Sequence, residues 1–296
     1  MRVWRQIAKT GLAGPPLELA TACHNQGRVR EVSSRAGLGG SPFAKRASVA
    51  AALLGLFAGS SLAADRPSKP QPGRAYQSEA TQRLEADDAA NAGMLWVERG
   101  ATLWTEGEKS CAGCHGTAQT SMKGVAARYP AIDTPSGRLL AIEGRIDQCR
   151  VERQGGPALK YESDDLLALT AYVTHQSRGL PRTAVIDGPA RPFFERGRAF
   201  FMTRQGQLNV ACTQCHDDNV GRHLRGDRIS QGQTEGWPAY RLEWQTLGSL
   251  HRRLRACSLG VRADILDYGS PEYVALELYL AWRGEGLSIA SPGVRR

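Results

Sequence analysis

The sequence lacks a long apolar run and has few aromatic residues. A membrane-spanning helix requires roughly 20 consecutive apolar residues, and no segment reaches that length. Aromatic residues make up 7% of the 296 residues, whereas glycine and proline number 33 and 15. This composition predicts short helices joined by many turns. It argues against an integral membrane protein and favours two small domains over one large core.

Acidic residues are scarce at the N-terminus, and this accounts for most of the net charge. Residues 1–46 contain eight Lys and Arg residues against two Glu, while the whole chain has a formal net charge of +9. The rest of the chain carries only a small positive excess, which removes the main argument for nucleic-acid binding. We therefore predict no nucleic-acid partner.

Residues 45–64 have the pattern of a secretory signal. Two basic residues, Lys45 and Arg46, precede an uncharged apolar run that ends in small residues. The run is too short for a membrane span and is interrupted by glycine and serine. Cleavage near Ala63 or Ala64 would release a periplasmic protein with no stable membrane insertion. Residues 1–44 show no periodic pattern, and we expect the true translation start to lie downstream of Met1.

An internal repeat divides the rest of the chain. Each half begins with a predicted helix, around 96–104 or 194–201, and ends with an amphipathic helix that follows Ser163 or Ser270 as N-cap. A long irregular stretch is expected between them. The predicted segments are a leader at 1–64, a polar arm at 65–91 with a short helix around 77–90, a first domain at 92–180, a linker at 181–191 and a second domain at 192–290.

Each half contains one CxxCH motif after its first helix. The motifs are Cys111, Cys114 and His115 in the first half, and Cys212, Cys215 and His216 in the second. In such a motif the two thiols attach one haem covalently and the histidine binds the iron. Two motifs at equivalent positions favour haem over a zinc or thioredoxin-like site. We predict two covalently bound haem c groups in a mainly α fold, with two domains that resemble class I cytochrome c in tandem.

Methionine, the distal iron ligand of ordinary electron carriers, is missing where it is expected. After the signal the chain has Met94, Met122 and Met202, none at the expected distance between a CxxCH motif and its closing helix. That region instead holds one cysteine in each half, Cys149 and Cys257. Neighbouring arginines favour the thiolate forms, so we predict axial ligation by His115 and Cys149 and by His216 and Cys257.

Two alternatives to this ligation stay open at the level of sequence. Cys149 and Cys257 are able to form a disulfide, since exported proteins seldom keep thiols reduced. His175, His223 and His251 are competing distal ligands. His175 lies at the end of a closing helix, and the other two follow the second CxxCH motif.

A cysteine after each CxxCH motif, with Arg253 four residues before Cys257, resembles the SoxA subunit of the SoxAX cytochromes of bacterial sulfur oxidation. The resemblance extends over about residues 77–290. It implies L-cysteine S-thiosulfotransferase activity, in which thiosulfate is joined oxidatively to a cysteine of the carrier SoxYZ and electrons pass to cytochrome c. It also implies a heterodimer with the monohaem cytochrome SoxX.

The resemblance also implies the roles of particular residues. Cys257 is the catalytic residue, which carries a persulfide and binds the iron of the active-site haem. Arg253 binds the sulfonate of the substrate, for which its fork geometry is suited, and a shared helix would place it on the same face as Cys257. Without the resemblance, a solvated charge or a haem-propionate partner would be the favoured interpretation of Arg253. Arg252, Arg255 and Arg262 are expected to add positive potential without a catalytic role.

The two distal cysteines are expected to differ in charge environment. Asp147 and Glu152 offset the arginines around Cys149, whereas the residues before Cys257 are strongly cationic. The first haem is therefore expected to be structural. A thiosulfate dehydrogenase that makes tetrathionate, a plain dihaem electron-transfer cytochrome and a dihaem peroxidase are the other classes that this pattern leaves open.

Overall fold

The computed structural model describes residues 65–296, and these residues are mainly helical, as predicted. The predicted leader and signal cleavage site lie outside this range. In chain order the helices are α1 (Glu79–Ala86), α2 (Met94–Thr105), α3 (Cys111–His115), α4 (Ala118–Ser121), α5 (Ile142–Cys149), α6 (Asp164–His175), α7 (Arg191–Met202), α8 (Cys212–His216), α9 (Leu250–Gly260) and α10 (Pro271–Arg283). Within residues 65–296, no helix is long and apolar enough to cross a membrane.

The strands are short and form small antiparallel pairs. They are β1 (Ala131–Asp133), β2 (Arg138–Leu140), β3 (His223–Leu224), β4 (Asp227–Arg228), β5 (Ala239–Arg241), β6 (Thr246–Gly248) and β7 (Gly293–Arg295). Strands β1–β2, β3–β4 and β5–β6 are hairpins, and β7 pairs in parallel with the outer edge of β5.

The polar arm forms a short helix that binds the C-terminal strand. Helix α1 begins after Ser78, whose hydroxyl accepts a hydrogen bond from the Thr81 amide, and it is shorter than predicted. Its Glu85 is buried and accepts a hydrogen bond of 3.0 Å from the backbone of Val294 in β7. The arm thereby packs against the end of the second half.

The first and last helices of each half cross at a glycine. Ser163 and Ser270 cap the closing helices α6 and α10, as predicted. A Cβ on Gly100 of α2 would lie 2.2 Å from the carbonyl oxygen of Ala168, and a Cβ on Gly197 of α7 would lie 2.0 Å from that of Ala275. Only glycine allows this backbone-to-backbone approach. The two glycines therefore fix the crossing of each helix pair.

The stretch predicted to be irregular contains a hairpin and a helix in each half. The segments 129–149 and 237–257 align without a gap: β1–β2 pairs Ile132 with Leu139, and β5–β6 pairs Tyr240 with Leu247. Helices α5 and α9 follow directly and carry the two distal cysteines. Strands of three residues are too short to show alternation in the sequence, which explains why they were not predicted.

Each hairpin packs against the other half. Leu139 of β2 lies in the cluster formed by Phe194, Phe201 and Leu278 of α7 and α10. In the same way, Leu247 of β6 lies in the cluster that contains Trp104 of α2 and Leu167 of α6. The two halves are thus interleaved through their hairpins. The domain boundaries at 92–180 and 192–290 stay a prediction.

Candidate functional site

The second CxxCH motif forms helix α8, and its histidine is oriented by the backbone. The side chain of Gln214 accepts a hydrogen bond of 2.8 Å from the Ala211 amide, which stabilises the start of this short helix. His216 Nδ1 lies 2.7 Å from the carbonyl oxygen of Ser230. A donor bond from Nδ1 leaves Nε2 available for a metal ion, the arrangement that metal-binding histidines use.

Cys257 lies beside this histidine. Burial acts to raise the pKa of the Cys257 thiol, but the charge of Arg253, the hydrogen bond and charge of His216, and the charge of Arg241 together lower it to about 7. In contrast, burial and the nearby Cys257 raise the pKa of the Cys212 thiol to about 12. Of these two thiols, Cys257 has the lower pKa and is the more readily ionised near neutral pH.

The residues around α8 fit a covalently bound haem. The motif offers two partly buried thiols that would attach a haem, and His216 and Cys257 would supply an imidazole nitrogen and a thiolate as ligands to its iron. Within residues 65–296, no group of three or more His, Cys, Asp or Glu side chains is arranged to hold a bare metal ion.

The first CxxCH motif forms helix α3 in the same way. The Ser110 hydroxyl caps the helix by accepting a hydrogen bond of 3.0 Å from the Gly113 amide. The charge of Cys149 contributes to raising the pKa of Cys111, after burial as the main cause, so these two cysteines are close. His115 is exposed, and its ring centroid lies 5.9 Å from that of Trp104. The donor set is the same as at the second site.

The structure favours neither alternative to thiolate ligation. Cys149 and Cys257 are both free thiols, and each lies beside the CxxCH cysteines of its own half. His251 is buried, with Nδ1 accepting a hydrogen bond of 3.0 Å from the Gly269 amide and Nε2 at 3.3 Å from Glu277 Oε2, an ion-pair distance without good hydrogen-bond geometry.

The other two candidate histidines also lack a place beside a distal cysteine. His223 is exposed on the β3–β4 hairpin. His175 is partly buried at the end of α6, where burial lowers its pKa. In the second half His216 and Cys257 lie together, and in the first half Cys149 lies beside Cys111. Axial ligation by His115 and Cys149 and by His216 and Cys257 stays a prediction.

Arg145, four residues before Cys149, is fully engaged by its neighbours. Its guanidinium lies 3.0 Å from Asp133 Oδ1, donates to the Tyr129 hydroxyl at 3.1 Å and donates to Gln148 Oε1 at 2.7 Å. Bonds from Ser136 are the main cause that lowers the pKa of Asp133 to about 2, with Arg145 contributing, so this carboxylate is ionised at neutral pH.

The partner of Arg145 differs from the sequence-based expectation. Asp147 instead accepts a hydrogen bond of 2.8 Å from the Leu159 amide, and Glu152 is exposed. The neutralising carboxylate comes from the β1–β2 hairpin, which the sequence did not reveal.

Arg253, four residues before Cys257, has the opposite surroundings. The two share helix α9, so their spacing places them on one face, as predicted. Within the described part of the chain, no carboxylate forms an ion pair with the Arg253 guanidinium. The positions that correspond to Asp133, Tyr129 and Gln148 in the aligned segments are Arg241, Trp237 and Ala256. None of these three side chains accepts a hydrogen bond from a guanidinium.

Arg241 is the one charged residue of this site that sequence reasoning missed. It ends β5, is buried and contributes to lowering the pKa of Cys257. Burial and the nearby Arg253 lower the pKa of Arg241 itself. An alignment of segments 129–149 and 237–257 without gaps would have identified it, because Arg241 aligns with Asp133.

The remaining arginines of the cationic segment point to aromatic partners or to solvent. The guanidinium of Arg252 lies 4.3 Å from the Trp244 ring centroid, and that of Arg255 lies 4.5 Å from the Tyr268 ring centroid. Arg262 is exposed. Arg252 also lies 3.8 Å from Glu162 Oε2. The expectation that these arginines add positive potential without a catalytic role stays a prediction.

Comparisons with known proteins connect this arrangement to one group of cytochromes. The family model described as SoxA/TsdA, cytochrome c domain, matches residues 99–182. The chain is 46% identical over 221 residues to the L-cysteine S-thiosulfotransferase subunit SoxA of Pseudaminobacter salicylatoxidans, covering 73% of this chain and 77% of the relative.

Two further relatives support the same connection. The subunit SoxA of Rhodovulum sulfidophilum is 41% identical over 237 residues, covering 78% of this chain and 82% of the relative. Among solved structures, SoxXA from P. pantotrophus matches with a TM-score of 0.76 at 37% identity, covering 79% of this chain and 90% of that chain. The similarity thus extends over most of the described residues.

Proposed function

The chain belongs to the SoxA family of L-cysteine S-thiosulfotransferase subunits, and we propose that it performs this reaction at Cys257. It is a c-type cytochrome with covalently bound haem c. The observation that carries the assignment of the site is the contrast between the two distal cysteines: Cys257 lies beside Arg253, which lacks a carboxylate partner, whereas Arg145 near Cys149 is neutralised by Asp133.

The reaction is covalent catalysis in two steps. In the first, the Cys257 thiolate and the terminal sulfur of thiosulfate form a sulfur–sulfur bond, and two electrons leave for cytochrome c as the acceptor. In the second, a carrier cysteine thiolate attacks the sulfur bound to Cys257, which breaks that bond and restores the Cys257 thiolate. The product is a carrier cysteine S-thiosulfonate. When bound, the haem would carry one electron at a time, so two molecules of oxidised cytochrome c take up the two electrons.

Arg253 orients the substrate. Its guanidinium presents donors in a planar fork that matches two sulfonate oxygens, and the absence of an ion-pair partner leaves those donors available. One helical turn separates it from Cys257. Binding of the sulfonate there directs the terminal sulfur of thiosulfate toward the thiolate.

We assign one haem to each half. Cys111 and Cys114 attach the first, with His115 and Cys149 as its axial ligands, and Cys212 and Cys215 attach the second, with His216 and Cys257. The repeated donor set supports this assignment. The boundaries at 92–180 and 192–290 describe the sequence order of the two haem domains.

The partners follow from the family. The physiological assembly is a heterodimer with a SoxX cytochrome, and the thiol substrate is a cysteine of SoxYZ. The site of action is the periplasm, reached by cleavage of the signal near Ala63 or Ala64.

A product assay tests the function. The heterodimer is incubated with thiosulfate, oxidised cytochrome c and either the carrier protein or no carrier. We expect mass spectrometry to show a carrier S-thiosulfonate and little tetrathionate. Tetrathionate in both reactions, with an unmodified carrier cysteine, would instead identify a thiosulfate dehydrogenase.

A further inference from the structure

The hairpin before helix α9 places a second arginine at the active site. Because segments 129–149 and 237–257 align without a gap, Arg241 occupies the position that Asp133 has in the first half. There the Asp133 carboxylate lies 3.0 Å from Arg145, the counterpart of Arg253. The same backbone frame therefore brings the Arg241 side chain next to Arg253, with the charge reversed.

We propose that Arg241 is a positioning residue that, together with Arg253, holds the dianionic substrate beside Cys257. The residue at this hairpin position, Arg241 in the second half and Asp133 in the first, thus distinguishes the proposed anion-binding site from the other haem site. This inference rests on the proposed function, because it assigns a further residue to the same site.

The surroundings of Arg241 leave part of its binding capacity unused. Its guanidinium lies 2.9 Å from Glu243 Oε2 and 3.6 Å from Asp227 Oδ2, and it stacks 4.9 Å from the centroid of Trp244. Its buried Nε has no hydrogen-bond partner. The Glu243 carboxylate is 67% exposed, so water screens its charge. A buried guanidinium with an unused donor next to a second cation is stabilised by an anion.

The charge of the substrate requires more than one cation. Thiosulfate carries two negative charges and has to approach a thiolate, which repels it. The single positive charge of Arg253 balances only the single negative charge of the Cys257 thiolate. A second guanidinium is therefore needed to attract the dianion. An aspartate at this position would instead repel it, as Asp133 does in the first half.

Two measurements on the haem-loaded heterodimer test the role. The first is kcat and KM for thiosulfate in the transfer reaction. The second is the rate at which Cys257, after treatment with dithiothreitol, is alkylated by anionic iodoacetate relative to neutral iodoacetamide. The second measurement does not depend on transferase activity, so it decides the proposal even if the wild type transfers no thiosulfate.

For Arg241→Gln we expect KM to rise about 10-fold to 100-fold, with a smaller change in kcat, because a hydrogen-bonded charge is lost. The ratio of iodoacetate to iodoacetamide labelling should fall several-fold, while the haem absorption spectrum stays that of the wild type. Arg241→Lys keeps the charge but not the fork, and it should restore most of the labelling ratio and part of the KM.

Two variants complete the design. Glu243→Gln leaves the core intact because Glu243 is largely exposed, and by releasing Arg241 it should lower KM and raise the labelling ratio. Arg99→Gln removes the same charge from the first half, where the exposed Arg99 pairs with Asp165, so both readouts should stay near the wild type. An unchanged labelling ratio in both Arg241→Gln and Glu243→Gln would overturn the proposal. So would an equal loss of reactivity toward both reagents, which indicates a purely structural role.

Discussion

Arg145 and Arg253 each lie four residues before a distal cysteine, Cys149 or Cys257, but the side chains around the two arginines differ. Arg145 is held by a carboxylate, a phenol and an amide, while the counterparts of these groups around Arg253 are Arg241, Trp237 and Ala256. A guanidinium whose donors are held on several sides, as those of Arg145 are, has little affinity left for an external anion, whereas Arg253 has no ion-pair partner in the described residues and Arg241 keeps an unpaired Nε. The surroundings of the two arginines thus differ in side chains of the hairpin segment, Asp133 and Tyr129 against Arg241 and Trp237, and in one residue of the helix itself, Gln148 against Ala256.

The first prediction separates the two cysteines. Cys257→Ala should abolish thiosulfate transfer, because the nucleophile is lost, while a pyridine haemochrome assay should still show two haems per chain. Cys149→Ala should change the absorption spectrum of the first haem and keep substantial activity. Normal turnover in Cys257→Ala with loss of activity in Cys149→Ala would mean that the two haems have the opposite roles.

The second prediction concerns the fork geometry of Arg253. Arg253→Lys keeps the charge but loses two-point contact with the sulfonate, so kcat/KM for thiosulfate should fall about 10-fold or more. Arg145→Lys is the matched control and should leave kcat/KM close to the wild type. Steady-state kinetics of the two heterodimers side by side provide the comparison, and equal losses would argue against a substrate role for Arg253.

The sequence predicts those candidate site residues that belong to a motif. The CxxCH cysteines and the distal cysteines were predicted from spacing, and Arg253 from the resemblance. Arg241 and Asp133 were missed because each acts across a hairpin, and which strand residue faces a helix depends on register.

At the scale of elements, the repeated Arg-Gly pair in α2 and α7 has a steric explanation. Gly100 and Gly197 lie where the first and last helices of each half touch backbone to backbone. The repeated Arg-Gly pair is visible in the sequence, but the contact is not, because a glycine within a helix does not indicate which helix packs against it. The hairpins β1–β2 and β5–β6 were not predicted for a different reason: a strand of three residues is too short to show an alternation of apolar and polar side chains.

The third prediction tests this crossing. A Cβ at Gly197 would lie 2.0 Å from the carbonyl oxygen of Ala275, so Gly197→Ala must push α7 away from α10. We expect the free energy of unfolding to fall by about 2 kcal/mol or more, as overpacked cores show. Gly144→Ala is the control. Its Cβ would make an ordinary contact of 3.6 Å with Leu140, and the gain in helix propensity should leave stability unchanged or raised. Denaturant titration measures both, and equal stabilities would show that the crossing tolerates a methyl group.

At the scale of the whole molecule, the two halves share a polar interior. A cavity of about 30 Å³ lies between them, lined by residues of both halves that include Glu143 of α5 and Glu277 of α10. Arg182 also lines it and donates to the carbonyl oxygens of Tyr129 and Thr234. Together with the reciprocal packing of Leu139 and Leu247, this interior forms part of the contact between the two halves. The sequence predicts two consecutive domains, and it does not reveal that the hairpin of each half packs against the other half.

The last prediction follows from the ionisation of this interior. Burial, and then the charge of Glu277, raise the pKa of Glu143 to about 7, and His251 and Glu162 are the other charged groups that act on it. The folded state therefore prefers the neutral carboxyl, whereas the unfolded chain ionises near its ordinary pKa of 4.5. The stabilising contribution is complete below pH 4.5 and is lost as the pH rises through 7.

Glu143→Gln should remove this pH dependence. At pH 5 the variant and the wild type should unfold with similar free energies, whereas at pH 8 the variant should be more stable by about 2 to 3 kcal/mol, since it has no carboxylate to ionise in the cavity. Denaturant unfolding at both pH values measures this, with Glu98→Gln on the exposed face of α2 as a control that keeps the wild-type pH dependence. A difference between Glu143→Gln and the wild type that is the same at both pH values would show that the carboxyl does not ionise in the folded protein over this range. The interior between the halves would then contribute to the free energy of unfolding through packing and not through the ionisation of Glu143.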